Sequence, residues 1–288
     1  MIPSFARLKL EDLLQEKIVH QDPASGGSIA VTYFIQTHKN HSYFLKWDQK
    51  NSGMLDAEVK GLELLRKSES FRIPEVFAHN STFLVMEAIL PQRAPKSNFW
   101  DRFAEKLAKL HQFQETYWGL KHDNFIGATQ QTNSISHTSW KDFFIEQRIK
   151  PQLKLLKLNG LNKTLIFDLQ LEMFKRISDL LSEVDEAPSL LHGDLWSGNY
   201  LVGQNNEPIV IDPAPYFGHR EAEFSIMKLF GGFPEAFYTR YHEIYPFAAG
   251  AEQRIQIYTL YHLLNHANLF GASYLQQSER LVKKIIGP

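Results

Sequence analysis

The 288-residue sequence contains no cysteine, and this absence excludes disulfide bridges, zinc–thiolate sites and thiol nucleophiles together. The sequence also lacks an uncharged apolar run that is long enough to span a bilayer. Its first residues, MIPSFARLKLEDLLQEKI, do not show the basic and then apolar order of a signal peptide. We therefore expect a cytoplasmic protein that does not interact with membranes.

Neither sign of charge is in excess, because 31 Lys and Arg residues face 32 Asp and Glu residues, for a formal net charge of -1. A broad basic surface, which is typical of proteins that bind nucleic acids, is therefore not expected. Hydrophobic residues make up 43% of the chain, enough for a large core. The length suits one large domain or two lobes that share a cleft. These features favour a soluble enzyme that acts on small molecules, and they leave its oligomeric state open.

The hydrophobic pattern changes along the chain from strand-rich to helical. After a short amphipathic helix over residues 4–18, the segment SIAVTYFIQTHKNHSYFLKW predicts two strands joined by a polar turn at residues 38–40. MLDAEVKGLELLRKS has helical spacing, STFLVMEAIL predicts a buried strand, and PQRAP predicts a linker. Further helices are predicted near residues 98–114, 139–157, 162–184, 219–230, 233–244, 251–270 and 272–286. The expected fold class is α+β, with a strand-rich lobe at residues 1–90 and a larger, mostly helical lobe at residues 91–288.

Asn199 and Asp212 flank a predicted hairpin in which YLV, GQNNE and PIVI form strand, turn and strand. The midpoint between the two residues falls inside the turn, so this register places them directly opposite each other, with Cβ atoms roughly 5 Å apart. Each residue alone is also common at capped strand ends. Together their oxygen atoms form a pair of hard ligands that suits Mg²⁺ better than zinc or copper.

Asp194 follows the apolar residues LLHG, which deliver it into an irregular loop five residues before Asn199. This spacing equals that of the protein-kinase catalytic loop, H-R-D-x-x-x-x-N, although Gly193 stands in place of the arginine. Phosphoryl transfer to a hydroxyl needs a carboxylate that accepts the proton of the acceptor. Asp194 is the candidate catalytic base. Trp196, in the same loop, is either a core anchor or an amphipathic face for a sugar ring.

Lys46 and Glu58 are candidates for the ion pair that orients a lysine toward ATP phosphates. Strand alternation puts Lys46 on the opposite face from Leu45. Glu58 lies on the apolar stripe of the following helix, and an unpaired buried charge costs several kcal/mol. Glu58 therefore needs a cation, and Lys46 is the expected partner.

Two further segments are candidates for nucleotide contacts. The turn ASGGSIAV places Gly26, Gly27 and Ser28 before the strand pair, where backbone amides can cover phosphates. An ordinary hairpin turn would have a similar sequence. The strand end LVMEAI leads into the linker, and its Met86, Glu87 and Ile89 are expected to contact adenine if the architecture is that of a kinase. With the residues above, these segments predict a site for ATP and Mg²⁺.

The segments LLHGDLWSGN, IDPAPYFGHREAEF, FGGFP and LLNHANLFG resemble the fructosamine kinase (ketosamine-3-kinase) family, within the aminoglycoside phosphotransferase-like kinases. WGLKHDNFIG at residues 118–127 is also similar to a family segment, so the resemblance covers most of the chain. It implies a bilobal protein-kinase-like fold. It also implies ATP-dependent phosphorylation of the 3-hydroxyl of ketosamines, which are fructosamines or ribulosamines, free or on glycated proteins.

The resemblance also implies roles for individual residues. Asp194 would be the base, Asn199 and Asp212 the magnesium ligands, and Lys46 with Glu58 the pair that orients phosphate. Trp196, His266 and Asp123 would border the sugar site. Ser28 departs from the family, since many members carry a cysteine there, so thiol-based regulation is not expected.

Other residues near these motifs have structural interpretations. We expect His192 to position the catalytic loop and Glu223 to brace it. His262 and His266 have the i, i+4 spacing of a metal pair, but the sequence shows no zincin pattern beside them. Packing for His262 and substrate contact for His266 are expected instead.

Two other functions stay open at this point. One is a kinase for another small alcohol or an aminoglycoside, although residues 116–138 carry Asp123 as their only acid, which disfavours a polycationic acceptor. The other is a kinase-like binding module without catalysis. It is disfavoured because the sequence carries a suitable residue at each position that is expected to supply the base or a metal ligand.

Overall fold

The computed structural model describes residues 2–24, 30–92, 95, 98–162 and 164–287. The amino-terminal part contains a five-stranded antiparallel sheet with strand order β1-β2-β3-β5-β4. Its strands are β1 (Ile18–Pro23), β2 (Val31–Thr37), β3 (Ser42–Trp47), β4 (Val76–His79) and β5 (Phe83–Glu87). Two helices, α1 (Ser4–Leu14) and α2 (Met54–Lys67), accompany the sheet. The predicted pair β2–β3, strand β5 and helix α2 are confirmed. Helix α1 ends at Leu14 rather than at residue 18, and β1 and β4 were not predicted.

Side-chain alternation in β3 directs neighbouring residues to different faces of this sheet. Leu45 is fully buried in a small cluster with Ala6 and Leu10 of α1. The adjacent Lys46 pairs in register with Leu84 of β5, which belongs to the larger cluster that also contains the apolar stripe of α2. Lys46 therefore lies on the face of the sheet that α2 covers.

The predicted linker PQRAP lies partly outside the described residues. The described residues from Phe99 onward are mainly helical, as predicted. The helices are α3 (Phe99–His111), α4 (Trp140–Phe144), α5 (Lys150–Leu158), α6 (Leu165–Asp168), α7 (Gln170–Leu181), α8 (Glu223–Leu229), α9 (Glu235–Ile244), α10 (Ala251–Phe270) and α11 (Ala272–Ile286). A π-helical turn at Ile145–Ile149 joins α4 to α5, so the predicted helix at 139–157 is continuous but not uniform. The predicted helix at 162–184 is divided into α6 and α7.

Three small antiparallel sheets lie between the helices in the described part of residues 98–287. Their strand pairs are β6 (Asn124–Ile126) with β7 (Thr129–Gln131), β8 (Ser189–Leu191) with β11 (Tyr216–Gly218), and β9 (Tyr200–Gly203) with β10 (Glu207–Val210). The last pair is the hairpin predicted between Asn199 and Asp212. Because β8 leads into the Asp194 loop and β10 leads to Asp212, these sheets bring the two carboxylates into one region.

Among the described residues, the larger of two hydrophobic clusters contains residues from both sides of the predicted lobe boundary. It contains Leu55 and Leu62 of α2 together with Phe103 and Leu107 of α3. Helix α2 also packs closely against Pro215, since a Cβ on Gly61 of this helix would lie 3.1 Å from Cδ of the proline. The division at residue 90 stays a prediction. No helix in the described part of the chain is long and apolar enough to cross a membrane.

Candidate active site

A cleft of about 460 Å³ contains six of the site residues that the sequence predicts. Those that line it are Lys46, Glu58, Asp194, Trp196, Asn199 and Asp212. They come from β3, from α2, from the loop after β8 and from the two ends of the β9–β10 hairpin. The cleft is therefore built by both the sheet and the helical part of the chain.

Lys46 is the central cation of this cleft. Its Nζ lies 2.7 Å from Oε1 of Glu58, so the predicted ion pair is present, and 2.6 Å from Oδ1 of Asp212. Burial alone would lower the pKa of Lys46, but the carboxylates of Asp212 and Glu58 outweigh it and raise the pKa. The lysine therefore stays charged near neutral pH.

The register predicted for the β9–β10 hairpin is wrong by one residue. Tyr200 pairs with Val210, and the carbonyl of Asn199 accepts a hydrogen bond from Ile211 N at 3.0 Å, so Asp212 lies one position beyond. The reason is a three-residue turn at Gln204–Asn206, in which Asn205 and Asn206 both adopt left-handed backbone angles. Asp212 itself has a φ of 56°, and its side chain still shares the cleft with Asn199.

Asn199 fixes the position of Asp194. Its Nδ2 donates to the backbone oxygen of Asp194 at 2.8 Å and to Oδ2 of the same residue at 2.9 Å. Burial raises the pKa of Asp194 well above its ordinary value, and the charge of Asp212 raises it further, against the lowering effect of the Asn199 hydrogen bond. A carboxylate with a raised pKa is a stronger proton acceptor than an ordinary one.

The oxygen atoms of Asn199 and Asp212 fit magnesium. The hydrogen bonds of the Asn199 side chain use Nδ2, and Oδ1 keeps its acceptor capacity, while Asp212 has a second carboxylate oxygen besides the one on Lys46. The described residues form no cluster of three or more His, Cys, Asp or Glu that could hold a metal by itself. Mg²⁺ is held by one or two protein carboxylates, water and substrate phosphates rather than by a protein cage. Among the described residues that line the cleft, the acidic side chains are Glu58, Asp194 and Asp212 and the basic one is Lys46, a balance that would favour a divalent cation.

Glu223 holds the loop that carries Asp194 through hydrogen bonds to its backbone, as predicted. Its carboxylate accepts hydrogen bonds from His192 N at 2.6 Å and from Gly193 N at 3.1 Å. Gly193 has a φ of +81°, and a Cβ there would lie only 2.0 Å from the backbone oxygen of Ala214. Nε2 of the buried His192 lies 2.9 Å from the carbonyl oxygen of Ile211, which agrees with its predicted positioning role.

The β6–β7 hairpin supplies cleft residues that the sequence did not predict. Asn124, Phe125 and Gly127 all line the cleft. Nδ2 of the buried Asn124 donates to the backbone oxygen of Pro215 at 2.8 Å, and Nε2 of Gln131 donates to that of Ala214 at 3.2 Å. The hairpin therefore holds the segment that follows Asp212. The family-like segment WGLKHDNFIG contains Asn124, although the sequence predicts Asp123 as its site residue.

Asp123 is exposed, and its carboxylate is engaged within its own loop. Oδ1 accepts from Asn133 N at 2.9 Å and Oδ2 accepts from Nε2 of Gln130 at 3.3 Å. His266 lies outside the set of residues that line the cleft, but its ring is 5.0 Å from that of Phe230, which in turn is 5.4 Å from Trp196. His262 is buried, and this burial is the main cause that lowers its pKa to about 3. The sugar contacts of Asp123 and His266 stay predictions.

The remaining nucleotide contacts also stay predictions. Gly26, Gly27 and Ser28 lie outside the described residues. Met86 is buried in the core, and the amide of Glu87 donates to the carbonyl of Glu75 at 2.8 Å while its carboxylate pairs with Arg72. Within the described part of the chain, Met86, Glu87 and Ile89 are not among the residues that line the cleft.

Comparison with solved structures defines the class of fold. A crystal structure from Haemophilus somnus, described provisionally as a fructosamine-3-kinase, superposes with a TM-score of 0.86 at 33% identity, covering 98% of this chain and 96% of that one. An aminoglycoside phosphotransferase superposes with a TM-score of 0.68 at 14% identity, over 97% and 96% of the two chains. The protein therefore has the kinase-like fold shared by these phosphotransferases.

The chain belongs to the fructosamine kinase family, whose model matches residues 1–287. A probable ketoamine kinase of Synechocystis is 37% identical over 276 residues, which cover 94% of this chain and 91% of the relative. The chloroplastic protein-ribulosamine 3-kinase of Arabidopsis thaliana is 33% identical over 289 residues, which cover 94% and 87% of the two chains. Membership of this family makes the protein an ATP-dependent phosphotransferase.

Proposed function

We propose that the protein transfers the γ-phosphoryl group of ATP, with Mg²⁺, to the 3-hydroxyl of ketosamines. The observation that carries this proposal is the single cleft in which Lys46, Asp194, Asn199 and Asp212 meet, in a chain of the fructosamine kinase family. The acceptors are fructosamines or ribulosamines, free or attached to glycated proteins. The name of the Arabidopsis relative supports a ribulosamine acceptor in particular. A cytoplasmic location stays a prediction.

Asp194 is the proposed base. As the 3-oxygen of the sugar forms its bond to the γ-phosphorus and the bond to ADP breaks, the carboxylate of Asp194 accepts the proton of the 3-hydroxyl. Asn199 keeps this carboxylate in place through the hydrogen bond from Nδ2 to Oδ2. Because burial raises the pKa of Asp194, the carboxylate is a more effective proton acceptor than an ordinary aspartate.

Lys46 is the proposed phosphate-orienting residue. Its ammonium is charged and is held toward the cleft by Glu58, so that it can donate hydrogen bonds to phosphate oxygens. Asn199 and Asp212 would hold magnesium, which when bound neutralises negative charge on the phosphates. Trp196 offers one face of its indole to the sugar, and Gly198 leaves space for that ring, since a Cβ there would lie 2.5 Å from it.

A polycationic acceptor such as an aminoglycoside is a second candidate that the site disfavours. Asp123 is the only acid in residues 116–138, and both of its carboxylate oxygens accept hydrogen bonds within its own loop. A binding module without catalysis is disfavoured as well, because the base, lysine and metal-binding positions are all filled and share one cleft.

An acceptor panel tests the proposed function. The purified protein is incubated with ATP and Mg²⁺ and with a ribulosamine, an erythrulosamine, a fructosamine, choline or an aminoglycoside, and ADP release is measured. We expect ADP release only with the ketosamines, and phosphorus NMR should place the new phosphate on O3. Phosphorylation of choline or the aminoglycoside alone would favour the second candidate, and nucleotide binding without transfer to any acceptor would favour the binding module.

A further inference from the structure

Arg148 is a fully buried arginine on the π-helical turn that joins α4 to α5. Its hydrogen bonds go to neutral oxygen atoms. Nη1 donates to the carbonyl of Thr132 at 2.6 Å and to that of Gln147 at 3.1 Å, and Nη2 donates to Oδ1 of Asn133 at 2.7 Å. Its partners among the described residues thus include no carboxylate. Buried charges are ordinarily paired with an opposite charge, so Arg148 departs from the usual arrangement.

Two other buried arginines show that usual arrangement. Arg220 donates two hydrogen bonds of 2.9 Å to the carboxylate of Glu186, and Arg254 donates hydrogen bonds of 2.6 Å and 2.8 Å to that of Glu221. Of the described residues that line the cleft, none belongs to these two pairs. The donors of both arginines are therefore largely used by a carboxylate, whereas those of Arg148 are available to neutral groups.

Aromatic rings take the place of a carboxylate around Arg148. Its guanidinium carbon lies 4.1 Å from the ring centroid of Tyr216 and 4.7 Å from that of Phe143. Such rings stabilise a cation without forming hydrogen bonds to its N–H groups. Hydrogen bonds donated by a charged group are stronger than those between neutral groups. Arg148 is therefore a strong donor to the oxygen atoms that it contacts.

A chain of side-chain hydrogen bonds leads from Arg148 to the cleft. Asn133, which accepts from Arg148 at Oδ1, donates from Nδ2 to Oδ1 of Asn124 at 2.8 Å. Asn124 lines the cleft, and its own Nδ2 donates to the backbone oxygen of Pro215 at 2.8 Å. Pro215 lies three residues after Asp212 in the chain. The buried arginine is thus connected to the segment that carries a candidate magnesium ligand.

The direction of this chain is determined at both ends. A guanidinium group only donates hydrogen bonds and a carbonyl group only accepts them, whereas each asparagine amide can do either. Because Arg148 must donate, Oδ1 of Asn133 faces it and Nδ2 is left to face Asn124. Oδ1 of Asn124 then accepts, and its Nδ2 is directed to Pro215. A neutral amide in place of Arg148 could accept as well as donate, and the orientation of Asn133 would no longer be unique.

We propose that Arg148 is a positioning residue for the metal site. Its guanidinium sets the orientation of the Asn133 and Asn124 amides, and these hold the segment that follows Asp212. The inference rests on the proposed function, in which Asp212 is a ligand of Mg²⁺. Arg148 is not among the described residues that line the cleft, so it acts through this chain and not on a substrate. Its place on a π-helical turn agrees with this role, since such turns are frequent at functional sites.

Binding of Mg²⁺ together with a non-hydrolysable ATP analogue tests this role without turnover. The rise in Tm is followed as Mg²⁺ is added, and the Mg²⁺ concentration at half of the rise is recorded. Arg148→Gln should increase this concentration about 10-fold, as loss of a group that orients a metal ligand does. In parallel assays with a ribulosamine, kcat at a fixed, limiting Mg²⁺ concentration should fall while the KM for the ribulosamine stays unchanged.

Arg254→Gln is the matched control. It also removes a buried arginine, and it leaves the carboxylate of Glu221 without its partner. It should therefore lower Tm but leave the Mg²⁺ concentration at half of the rise unchanged. A similar increase of this concentration in both variants would show that any destabilisation weakens Mg²⁺ binding, and it would overturn the proposal.

The double variant Arg148→Gln with Asn124→Ala tests the pathway. If both residues act through one chain of hydrogen bonds, the double variant should need the same Mg²⁺ concentration as Asn124→Ala alone. An increase equal to the product of the two single effects would show that Arg148 acts independently of Asn124, and it would overturn the pathway.

Arg148→Lys keeps the test valid if Arg148→Gln does not fold. Lysine keeps the positive charge but lacks the planar fork that reaches Thr132 and Asn133 together, so it should also raise the Mg²⁺ requirement, by a smaller factor. A lower Tm with an unchanged Mg²⁺ requirement would overturn the proposal, as would the absence of any Mg²⁺-dependent rise in the unsubstituted protein. Failure of that protein to phosphorylate any ketosamine would contradict the proposed function instead, because the binding measurement uses no acceptor.

Discussion

Lys46 and Asp212 are 166 residues apart in the chain, yet Nζ of the lysine lies 2.6 Å from Oδ1 of the aspartate. The same ammonium bonds Glu58, so one side chain joins β3, α2 and the end of the β9–β10 hairpin. This contact places the candidate phosphate-orienting residue beside a candidate magnesium ligand. It also ties the sheet to the helical part of the chain through charge as well as through the hydrophobic cluster.

Replacement of Lys46 should impair both stability and catalysis. Lys46→Met leaves Glu58 and Asp212 close together without their cation, and loss of one partner from a buried pair destabilises by about 3 kcal/mol. Urea unfolding without Mg²⁺ measures this effect, and ADP release with a ribulosamine should fall by roughly 10²-fold or more. Lys67→Met, at an exposed position of α2, is the control. Equal behaviour of the two variants would count against the assigned role of Lys46.

Gly193 should be irreplaceable for steric reasons, and Gly160 provides a matched comparison. Both have left-handed backbones, with φ of +81° and +76°, but a Cβ on Gly160 meets nothing within 4 Å. Gly160→Ala should therefore cost only about 1 kcal/mol for the backbone angle. Gly193→Ala adds a clash with the oxygen of Ala214 and should displace the Asp194 loop.

Thermal unfolding and kcat measured on both glycine variants check this difference. Gly193→Ala should lose most of its turnover, and Gly160→Ala should keep it. Similar kcat values for the two would show that the Asp194 loop tolerates the shift.

Asn124 should control how firmly Asp212 is held. Asn124→Ala removes the hydrogen bond to Pro215 and deprives Gln131 and Asn133 of their shared acceptor, Oδ1 of Asn124, at 2.8 Å from each. Unsatisfied buried groups of this kind cost about 1–3 kcal/mol. We expect lower stability and a higher Mg²⁺ concentration for half-maximal rate. Gln130→Ala, in the same hairpin but exposed, should change neither. An unchanged Mg²⁺ requirement in Asn124→Ala would contradict the positioning role.

Acid should weaken the ion pair between Glu186 and Arg220. Burial alone would raise the pKa of Glu186, but hydrogen bonds from His219 and Arg220 lower it to about 2 from 4.5. A lowered pKa means that the contribution to stability is present above about pH 4.5 and is lost as the pH falls toward 2. The free energy of unfolding of Glu186→Gln should therefore lie roughly 2 kcal/mol below that of the unsubstituted protein at pH 7, with the difference vanishing near pH 2.

Urea unfolding between pH 7 and pH 2 measures that difference. Glu183→Gln, at an exposed position in the same segment, should unfold like the unsubstituted protein throughout. A difference for Glu186→Gln that does not change with pH would show that the pair contributes little.

The most accurate predictions from the sequence concern features that depend on residues close together in the chain. Helices α10 and α11 begin and end where predicted because their apolar pattern is long and Gly271 separates them. The five-residue spacing of Asp194 and Asn199 is likewise local, and Asn199 does hold Asp194. The predicted pairing of Lys46 with Glu58 followed from two nearby elements and one burial argument.

Features that depend on turns and distant contacts were not predicted. The register of the β9–β10 hairpin shifted because two left-handed asparagines close a three-residue turn, and composition alone does not determine that geometry. Strands β6 and β7 are three residues each, too short to show alternation. The contact between Lys46 and Asp212 depends on how the sheet meets the helical part, which no local pattern specifies.

The proton-accepting role of Asp194 is best tested with Asp194→Asn, which keeps the size of the side chain and removes its charge. ADP release with a ribulosamine is measured beside ATP affinity, with Asp185→Asn, at an exposed position, as the control. We predict that kcat falls by roughly 10²- to 10⁴-fold while ATP still binds. Turnover by Asp194→Asn equal to that of the control would contradict the role of Asp194 as the base.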